Sequence, residues 1–253
     1  MTEFNPLEYF RSVYDAVPEW AEMFHRFSPE GFKHYTLLRN EALRDGALSR
    51  KEKELILVAI NAARRYERSM LFHTKGAVDA GASVEEVAEI AAVCVLSRGI
   101  PAWFTGVEAI KYAVRYMAKK GIVRDPVEAD GDSAVNPART LNEALDYFRR
   151  EASGSVPEWA AAMASLQPEA LVGYAALRQR LLRDGAVSRK LKELALMGIN
   201  LAERYPKGVR LHADGARKHG ASDEEIAETA LTALLTGGIP AWFEVVDSLK
   251  PDA

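Results

Sequence analysis

Apolar and aromatic side chains recur every three or four residues along most of the chain, which is the spacing of amphipathic helices. Runs that alternate apolar and polar residues, and the Asn-Gly turns of β-hairpins, are missing from the sequence. Ser49, Ser83 and Thr140 are each followed three residues later by a glutamate, the pattern of a capping box at the start of a helix. The sequence therefore predicts an all-α fold.

The chain repeats itself at an offset of 139 residues. The matched segments are 17–20 with 156–159, 44–47 with 183–186, and 99–104 with 238–243. Between the copies, a polar stretch with Pro126, Gly131 and Pro137 has the composition of a linker. We expect two tandem helical domains that arose by internal duplication, one over 1–130 and the other over 131–253.

Composition and charge exclude several classes of protein. The formal net charge is −3 and the calculated pI is about 6.0, without the strong basic excess of nucleic-acid-binding proteins. No apolar stretch approaches the roughly 18 residues of a membrane span, and the N-terminus lacks a secretory pattern. Cys94 is the only cysteine, which excludes an intramolecular disulfide framework. We expect a cytoplasmic protein that binds neither nucleic acid nor membrane.

The duplication also selects candidate functional residues, because polar residues kept in both copies stand out against neighbours that differ. The set is Lys53, Glu54, Asn61, Arg65, Tyr66 and His73, with Lys192, Glu193, Asn200, Arg204, Tyr205 and His212 in the second copy. Spacings of seven and four place Glu54, Asn61 and Arg65 on one helix face. Such a set could form an acid–base pocket, or it could be a structural cluster of ion pairs and a buried histidine.

Other conspicuous residues favour packing over chemistry. The identical Gly-Ile-Pro-Ala-Trp-Phe segments contain Trp103 and Trp242. We expect these tryptophans mainly to pack in the core, and the alternative is that they line the wall of a substrate pocket. Cys94 lies in an apolar helical pattern and is expected to be buried and inert. One shared histidine per repeat is too few for a zinc site, so we expect no metal.

The ordered motifs resemble the carboxymuconolactone decarboxylase and AhpD-like superfamily over roughly 17–111 and 156–250. They are Lys-Glu-Leu at 53–55, Tyr66, His-Thr-Lys-Gly-Ala at 73–77, Gly-Ala-Ser at 81–83 and Gly-Ile-Pro-Ala at 99–102. The second copy repeats them in the same order, with His-Ala-Asp-Gly-Ala at 212–216 in place of the third. The alkylhydroperoxidase branch places a Cys-x-x-Cys pair twelve and fifteen residues after the glutamate. Those positions are Tyr66 and Ser69 here, and Tyr205 and Gly208 in the second copy, so a thiol peroxidase is disfavoured.

The resemblance to the decarboxylase branch implies a cofactor-independent lyase that acts on a small carboxylated lactone or a related ring-cleavage product. Within that interpretation, Arg65 or Arg204 holds the substrate carboxylate, and Tyr66 or Tyr205 stabilises the developing oxyanion. His73 or His212 returns a proton to carbon and is tuned by its glutamate. An isomerase with similar acid–base chemistry is also compatible with these residues.

Two further expectations follow from the resemblance. Single-repeat members of the family form trimers of dimers, so a tandem chain is expected to assemble as a homotrimer. A non-catalytic protein for small-molecule binding or assembly, on the same fold, remains the alternative to an enzyme.

Overall fold

The computed structural model describes residues 4–125, 136–152 and 154–249, and within these ranges the chain is helical without a β-strand. The first repeat contains α1 (Pro6–Tyr14), α2 (Glu19–Phe27), α3 (Pro29–Leu43), α4 (Arg50–Ala63), α5 (Glu67–Asp79), α6 (Val84–Arg98) and α7 (Ile100–Lys120). The second contains α8 (Leu141–Glu151), α9 (Glu158–Leu166), α10 (Pro168–Leu181), α11 (Arg189–Ala202), α12 (Pro206–Lys218), α13 (Asp223–Gly237), α14 (Ile239–Phe243) and α15 (Val246–Leu249). The all-α prediction is confirmed.

Local signals in the sequence set the helix ends. The capping boxes predicted at Ser49, Ser83 and Thr140 are all formed, and Ser222 opens α13 in the same way. Each satisfies backbone N–H groups that the first helical turn leaves free. Gly99 joins α6 to α7 with a φ of 66°, a left-handed conformation that favours glycine.

The two repeats share one hydrophobic core, with α4 and α11 at its centre. Residues 53–63 of α4 and 191–202 of α11 are buried throughout. The two helices approach closely because Gly198 lacks a side chain: a Cβ there would lie 3.1 Å from Ile56 Cγ2 and 3.2 Å from Ile60 Cδ1. The repeats are therefore packed on each other along their most buried helices.

Reciprocal ion pairs tie each repeat to the other. Lys53 Nζ lies 3.0 Å from Glu228 Oε2, and Lys192 Nζ lies 2.8 Å from Glu89 Oε2. Glu228 also accepts the backbone N–H groups of residues 47 and 48, and Glu89 accepts the equivalent amides of the second repeat. Each lysine is buried with a charged partner, which offsets part of the cost of removing it from water. Burial still lowers the pKa of Lys192 despite its pairing with Glu89. The arrangement packs α6 against the second repeat and α13 against the first.

The repeats differ at their C-terminal ends. In the first repeat α7 runs unbroken through 21 residues, whereas the second repeat breaks the equivalent stretch into α14 and α15. The predicted domain boundary at residue 130 falls outside the described residues. None of the described helices combines the length and apolar character that crossing a membrane requires.

Candidate functional site

A buried glutamate and a buried histidine form the centre of each site. Glu54 on α4 lies under His73 on α5, with 2.7 Å between Glu54 Oε2 and His73 Nδ1. The second repeat repeats the pair at the same 2.7 Å distance, between Glu193 and His212. All four side chains are buried. The sequence prediction that these residue types come together from consecutive helices is therefore reproduced twice in the structure.

A glycine one turn after each histidine makes room for the carboxylate. A Cβ at Gly76 would lie 2.6 Å from Glu54 Cδ, and one at Gly215 would lie 2.9 Å from Glu193 Cδ. Both distances are shorter than atomic contact allows, so a side chain at either position would displace the carboxylate from its place beside the histidine. The sequence carried this signal, because both glycines are kept at the 139-residue offset.

Burial and neighbouring charges set the protonation of the pair. Burial alone raises the pKa of the Glu54 carboxyl, but the His73 hydrogen bond and the charges of Arg39 and Arg50 hold that pKa below its usual range. Burial lowers the pKa of the His73 imidazole. At neutral pH the site therefore holds a carboxylate and a neutral imidazole, with Nδ1 donating to Glu54 and Nε2 free of that bond.

The second pair has the same polarity. Burial opposes ionisation of Glu193, but the His212 hydrogen bond and the charges of Arg178 and Arg189 lower the pKa of its carboxyl to about 2. Burial lowers the pKa of the His212 imidazole. Both repeats therefore present a neutral imidazole held by an ionised glutamate, an arrangement able to accept a proton and stabilise the resulting imidazolium.

Two arginines per site surround the glutamate, and sequence reasoning missed all of them. Arg50 Nη2 donates to Glu54 Oε1 at 3.1 Å from one turn earlier on α4. Arg39 on α3 is buried and donates to the hydroxyl of Tyr14. The counterparts in the second repeat are Arg178 and Arg189. The 139-residue offset pairs all four arginines, so the retention of polar residues could have identified them.

Each histidine lines a cavity. Cavity 1 has a volume of about 390 Å³ and is lined by Phe10, Tyr14, Pro18, Trp20, Tyr35, Arg39, Asn61, Arg64, Tyr66, Arg68, Ser69, Phe72, His73, Leu235 and Thr236. Cavity 2 has a volume of about 230 Å³ and is lined by Leu96, Ser97, Arg98, Phe148, Glu151, Ala152, Pro157, Trp159, Tyr174, Arg178, Asn200, Tyr205, Gly208, Leu211 and His212. Cavity 1 falls within the range of about 300–1,000 Å³ usual for small-molecule sites, and cavity 2 is somewhat smaller.

Each cavity is completed by the opposite repeat. Leu235 and Thr236, at the end of α13, line cavity 1, and Leu96 and Ser97, at the end of α6, line cavity 2. These two pairs occupy equivalent positions in the repeats. The packing of the repeats on each other therefore contributes directly to both cavities.

The predicted polar residues divide into buried and peripheral groups. Asn61 and Asn200 line their cavities, and their side-chain amides donate to the carbonyls of Leu57 at 2.8 Å and Leu196 at 2.7 Å. Tyr66 lies at the mouth of cavity 1 with 57% of its surface exposed, and its counterpart in cavity 2 is 51% exposed. The tyrosines are thus accessible to a ligand without being enclosed.

The predicted carboxylate-binding arginines, Arg65 and Arg204, lie away from the cavities, which corrects the shared-face prediction. The α4 helix ends before Arg65, whose φ is 57°. The N–H of Tyr66 then bonds to the carbonyl of Asn61 at 2.9 Å, as in a Schellman motif. Arg204 is in the same position in the second repeat, with a φ of 56°. Both side chains are exposed, and neither lines a cavity.

Trp103 and Trp242 also lie outside both cavities. Trp242 is half-buried and packs against the central core, in agreement with the packing interpretation. Trp103 is half-buried at the start of α7. The tryptophans that do line the cavities are Trp20 and Trp159, within the repeated Val-Pro-Glu-Trp segments. Trp103 and Trp242 therefore do not form the wall of either cavity.

Thiol and metal chemistry have little support among the described residues. Cys94 is buried in the core, and burial raises the pKa of its thiol to about 12. A thiol in this state is a poor nucleophile. Within residues 4–125, 136–152 and 154–249, no cluster of three or more His, Cys, Asp or Glu side chains could hold a metal ion.

Known proteins resemble this chain at several levels. An uncharacterized protein of Methanocaldococcus jannaschii is 28% identical over 92 residues, covering 36% of this chain and 86% of its own. A solved structure from Burkholderia xenovorans LB400, described as a candidate γ-carboxymuconolactone decarboxylase subunit, matches 97% of this chain and 96% of its own with 20% identity and a TM-score of 0.63, which shows a shared fold.

A second structure from the same organism, described as a candidate carboxymuconolactone decarboxylase, is 29% identical and covers 47% of this chain and 93% of its own, with a TM-score of 0.44. The sequence model of the carboxymuconolactone decarboxylase family matches twice, at residues 29–112 and 168–250. The two matches include both glutamate–histidine pairs and together span most of the chain. The chain is a tandem-repeat member of the carboxymuconolactone decarboxylase family.

Proposed function

We propose that this protein is a cofactor-independent carboxy-lyase that acts on a small carboxylated lactone or a related ring-cleavage product. The observation that carries the proposal is the Glu54–His73 pair, which faces a cavity of about 390 Å³ beside the buried guanidinium of Arg39. An acid–base pair next to a fixed cation fits a substrate that bears a carboxylate and undergoes proton transfer. Membership of the decarboxylase family supports the same class of reaction.

The lining of cavity 1 suggests how such a substrate binds. Arg39 replaces Arg65 as the proposed partner of the substrate carboxylate, because it is buried and lines the cavity. The rings of Phe10, Trp20 and Tyr35 provide apolar surface for a small ring. Tyr66, at the cavity mouth, remains the proposed donor to the oxyanion that develops on the lactone carbonyl.

The proposed reaction exchanges carbon dioxide for a proton. The bond between the ring carbon and the carboxylate breaks, CO₂ leaves, and the bonding electron pair moves onto the lactone carbonyl. His73 accepts a proton from solvent at Nε2 and delivers it to the carbon that lost CO₂. Glu54 stabilises the imidazolium that exists between these two transfers, since it already hydrogen-bonds Nδ1 at 2.7 Å.

An isomerase is the second candidate, and the resting protonation of the pair favours it. Because the pKa of His73 is lowered, its neutral imidazole can take a proton from substrate carbon and return it elsewhere. This reaction uses the same two side chains without loss of CO₂. Product analysis separates the two reactions, since only the lyase releases gas.

We also propose that the chain assembles as a homotrimer in the cytoplasm. Large apolar side chains remain on the surface of the single chain, among them Phe27 and Leu166, each 75% exposed, and Phe104, 67% exposed. Apolar surface of this kind is commonly buried between subunits. Light scattering is expected to give a mass near that of three chains, and a stable monomer would refute the assembly.

The proposed activity is tested by incubating the protein with a panel of carboxylated five-membered lactones and measuring CO₂ release. The variant with both His73→Gln and His212→Gln serves as the matched control, because it keeps polar side chains at both positions. We expect CO₂ from at least one lactone with the native protein and none above background with the variant. A non-catalytic binding protein would release CO₂ from no lactone in the panel.

A further inference from the structure

The two cavities differ in the fixed charges on their walls. Cavity 1 is lined by Arg39, Arg64 and Arg68, and among its described lining residues there is no carboxylate. Cavity 2 is lined by Arg98, Arg178 and the carboxylate of Glu151. The walls of the first cavity are therefore strongly positive, while those of the second carry an internal counter-charge.

Glu151 is held between the two site arginines of the second repeat. Its Oε2 lies 2.6 Å from Arg189 Nη2 and 3.7 Å from Arg178 Nη2. In the first repeat the equivalent buried arginine, Arg39, bonds to the neutral hydroxyl of Tyr14. In the second site a protein carboxylate therefore already faces Arg178, the cavity-lining guanidinium that corresponds to Arg39.

The difference originates in the first helix of each repeat. Phe10 packs edge-on against Trp20 with 5.3 Å between ring centroids, and Phe148 packs the same way against Trp159 at 4.9 Å. These equivalent aromatic pairs align α1 with α8 at an offset of 138, one residue less than in the rest of the repeat. In that alignment Ala152 replaces Tyr14. The residue before it, Glu151, reaches Arg178 and Arg189.

The first site also contains buried polar atoms without partners. Among the described residues, neither Arg39 Nε nor Asn61 Oδ1 has a hydrogen-bond partner, although both atoms are buried. Their side chains line cavity 1. Arg39 Nε is a donor that a ligand carboxylate can satisfy, whereas Asn61 Oδ1 is an acceptor that requires a donor on the ligand. Leaving such groups unpaired is unfavourable, so a carboxylate that pairs with Arg39 gains binding free energy.

The charge of Glu203 does not produce the asymmetry. Its carboxylate lies 4.0 Å from Arg64 Nε and 3.7 Å from Arg98 Nη2, so it reduces the positive charge at both rims similarly. The unmatched carboxylate is Glu151, which touches the second site alone.

We propose that the two sites are inequivalent, with cavity 1 binding carboxylate ligands and Glu151 excluding them from cavity 2. The inference rests on the proposed function for its substrate class and assigns the anionic substrate to the first repeat. Glu151, held by Arg189, acts as a specificity-determining residue by competing with the ligand for Arg178 on the cavity wall. Cavity 2 accepts uncharged ring compounds instead.

The native tryptophans allow both sites to be observed in one sample. Trp20 lines cavity 1, Trp159 lines cavity 2, and Trp103 and Trp242 line neither. Protein labelled with 5-fluorotryptophan is titrated with benzoate, and with benzamide as an uncharged ligand of nearly the same shape, while ¹⁹F NMR follows each resonance. The variants are Glu151→Gln and Glu151→Ala, with Glu169→Gln, an exposed residue of α10 outside both cavities, as the charge-matched control.

We expect the Trp20 resonance to shift at a benzoate concentration at least about tenfold lower than the concentration that shifts the Trp159 resonance. A difference of one charge-assisted contact between the two sites gives a ratio of this size. Glu151→Gln and Glu151→Ala are expected to bring the two curves within about threefold, as one such contact is restored. Glu169→Gln should preserve the difference in benzoate affinity between the two cavities. Benzamide should bind the two cavities with similar affinity. Equal benzoate affinities in the native protein, no response at either residue, or an unchanged gap in both Glu151 variants would overturn the proposal. The titration requires no turnover, so selective binding without CO₂ release would refute the proposed activity alone.

Discussion

The two catalytic candidates of this chain share their inner geometry and differ in the charge around it. Glu54 with His73 and Glu193 with His212 have the same 2.7 Å hydrogen bond, and each glutamate has two arginines beside it. In the second repeat Glu151 adds a carboxylate that the first repeat lacks. The glutamate–histidine pair has thus been kept while its electrostatic surroundings have diverged.

This difference shows why retention of motif residues is insufficient to infer equal function. The glutamate, tyrosine and histidine of the family motif are the same in both repeats, but in our proposal a side chain from α8 changes which ligand the second cavity accepts. The change needs no movement of the catalytic pair. It requires only a one-residue difference in how the first helix of each repeat is placed against its aromatic neighbours.

The largest effect should follow from removing both imidazoles. Converting His73 and His212 together to Gln is expected to lower kcat for the identified lactone by at least about 100-fold, since general acid–base catalysis contributes about 10²–10⁴. Far-ultraviolet circular dichroism provides the folding control and should be unchanged. Native-like turnover in the folded double variant would remove both pairs from the mechanism.

A smaller effect is expected from the buried arginines, and it should separate the sites. Arg39→Gln should raise KM for the anionic substrate by about tenfold or more, because a hydrogen bond to a charged group contributes about 1.5–3 kcal/mol. Arg178→Gln should change KM by less than about threefold, since its guanidinium already faces Glu151. Steady-state kinetics of the two variants would contradict the account if their KM values rose equally.

Acidification should destabilise the protein through both histidines. Their pKa values are lowered by folding, so the unfolded chain binds more protons as the pH falls below about 6.5, and stability decreases from pH 7 to pH 5. Each histidine contributes at most about 1.4 kcal/mol per pH unit. His73→Gln and His212→Gln should each flatten the dependence of Tm on pH. An unchanged slope in both variants would show that the imidazoles are not held neutral.

The smallest effect is expected at the arginines that the sequence selected. Arg65→Ala and Arg204→Ala remove exposed side chains that line neither cavity. Each should change KM by less than about twofold, since surface substitutions away from a site usually have effects within about 0.5 kcal/mol. A tenfold rise in KM for either variant would place that arginine at the substrate after all.

Much of the fold could be predicted from the sequence because its signals are local or repeated. Capping boxes at Ser49, Ser83 and Thr140 depend on residues three apart, and each forms as predicted. The Glu54–His73 and Glu193–His212 pairs were identified because the repeat retains them. Duplication therefore supplied information that a single copy would not have given.

The remainder of the site depends on tertiary packing. Arg65 has the right helical spacing from Glu54, but α4 ends at Ala63 and Arg65 itself adopts a left-handed conformation. Its side chain therefore does not share the helix face that carries Glu54. Arg39 enters from a different helix, and Leu235 from the other repeat. Glu151 has no carboxylate counterpart in the first repeat, where Ser12 stands at the 139-residue offset and Val13 in the aromatic register, so a search for retained residues passes over it. Periodicity along one helix cannot predict any of these placements.

The central claim is that one pair, in cavity 1, carries the turnover of an anionic substrate. The most direct test compares kcat/KM for the same carboxylated lactone in the single variants His73→Gln and His212→Gln. The account predicts that kcat/KM falls by at least about tenfold in His73→Gln and by less than about twofold in His212→Gln. One additional charge-assisted contact in cavity 1 is enough to give this division of turnover between the two sites. Equal losses in the two variants, or a larger loss for His212→Gln, would contradict it.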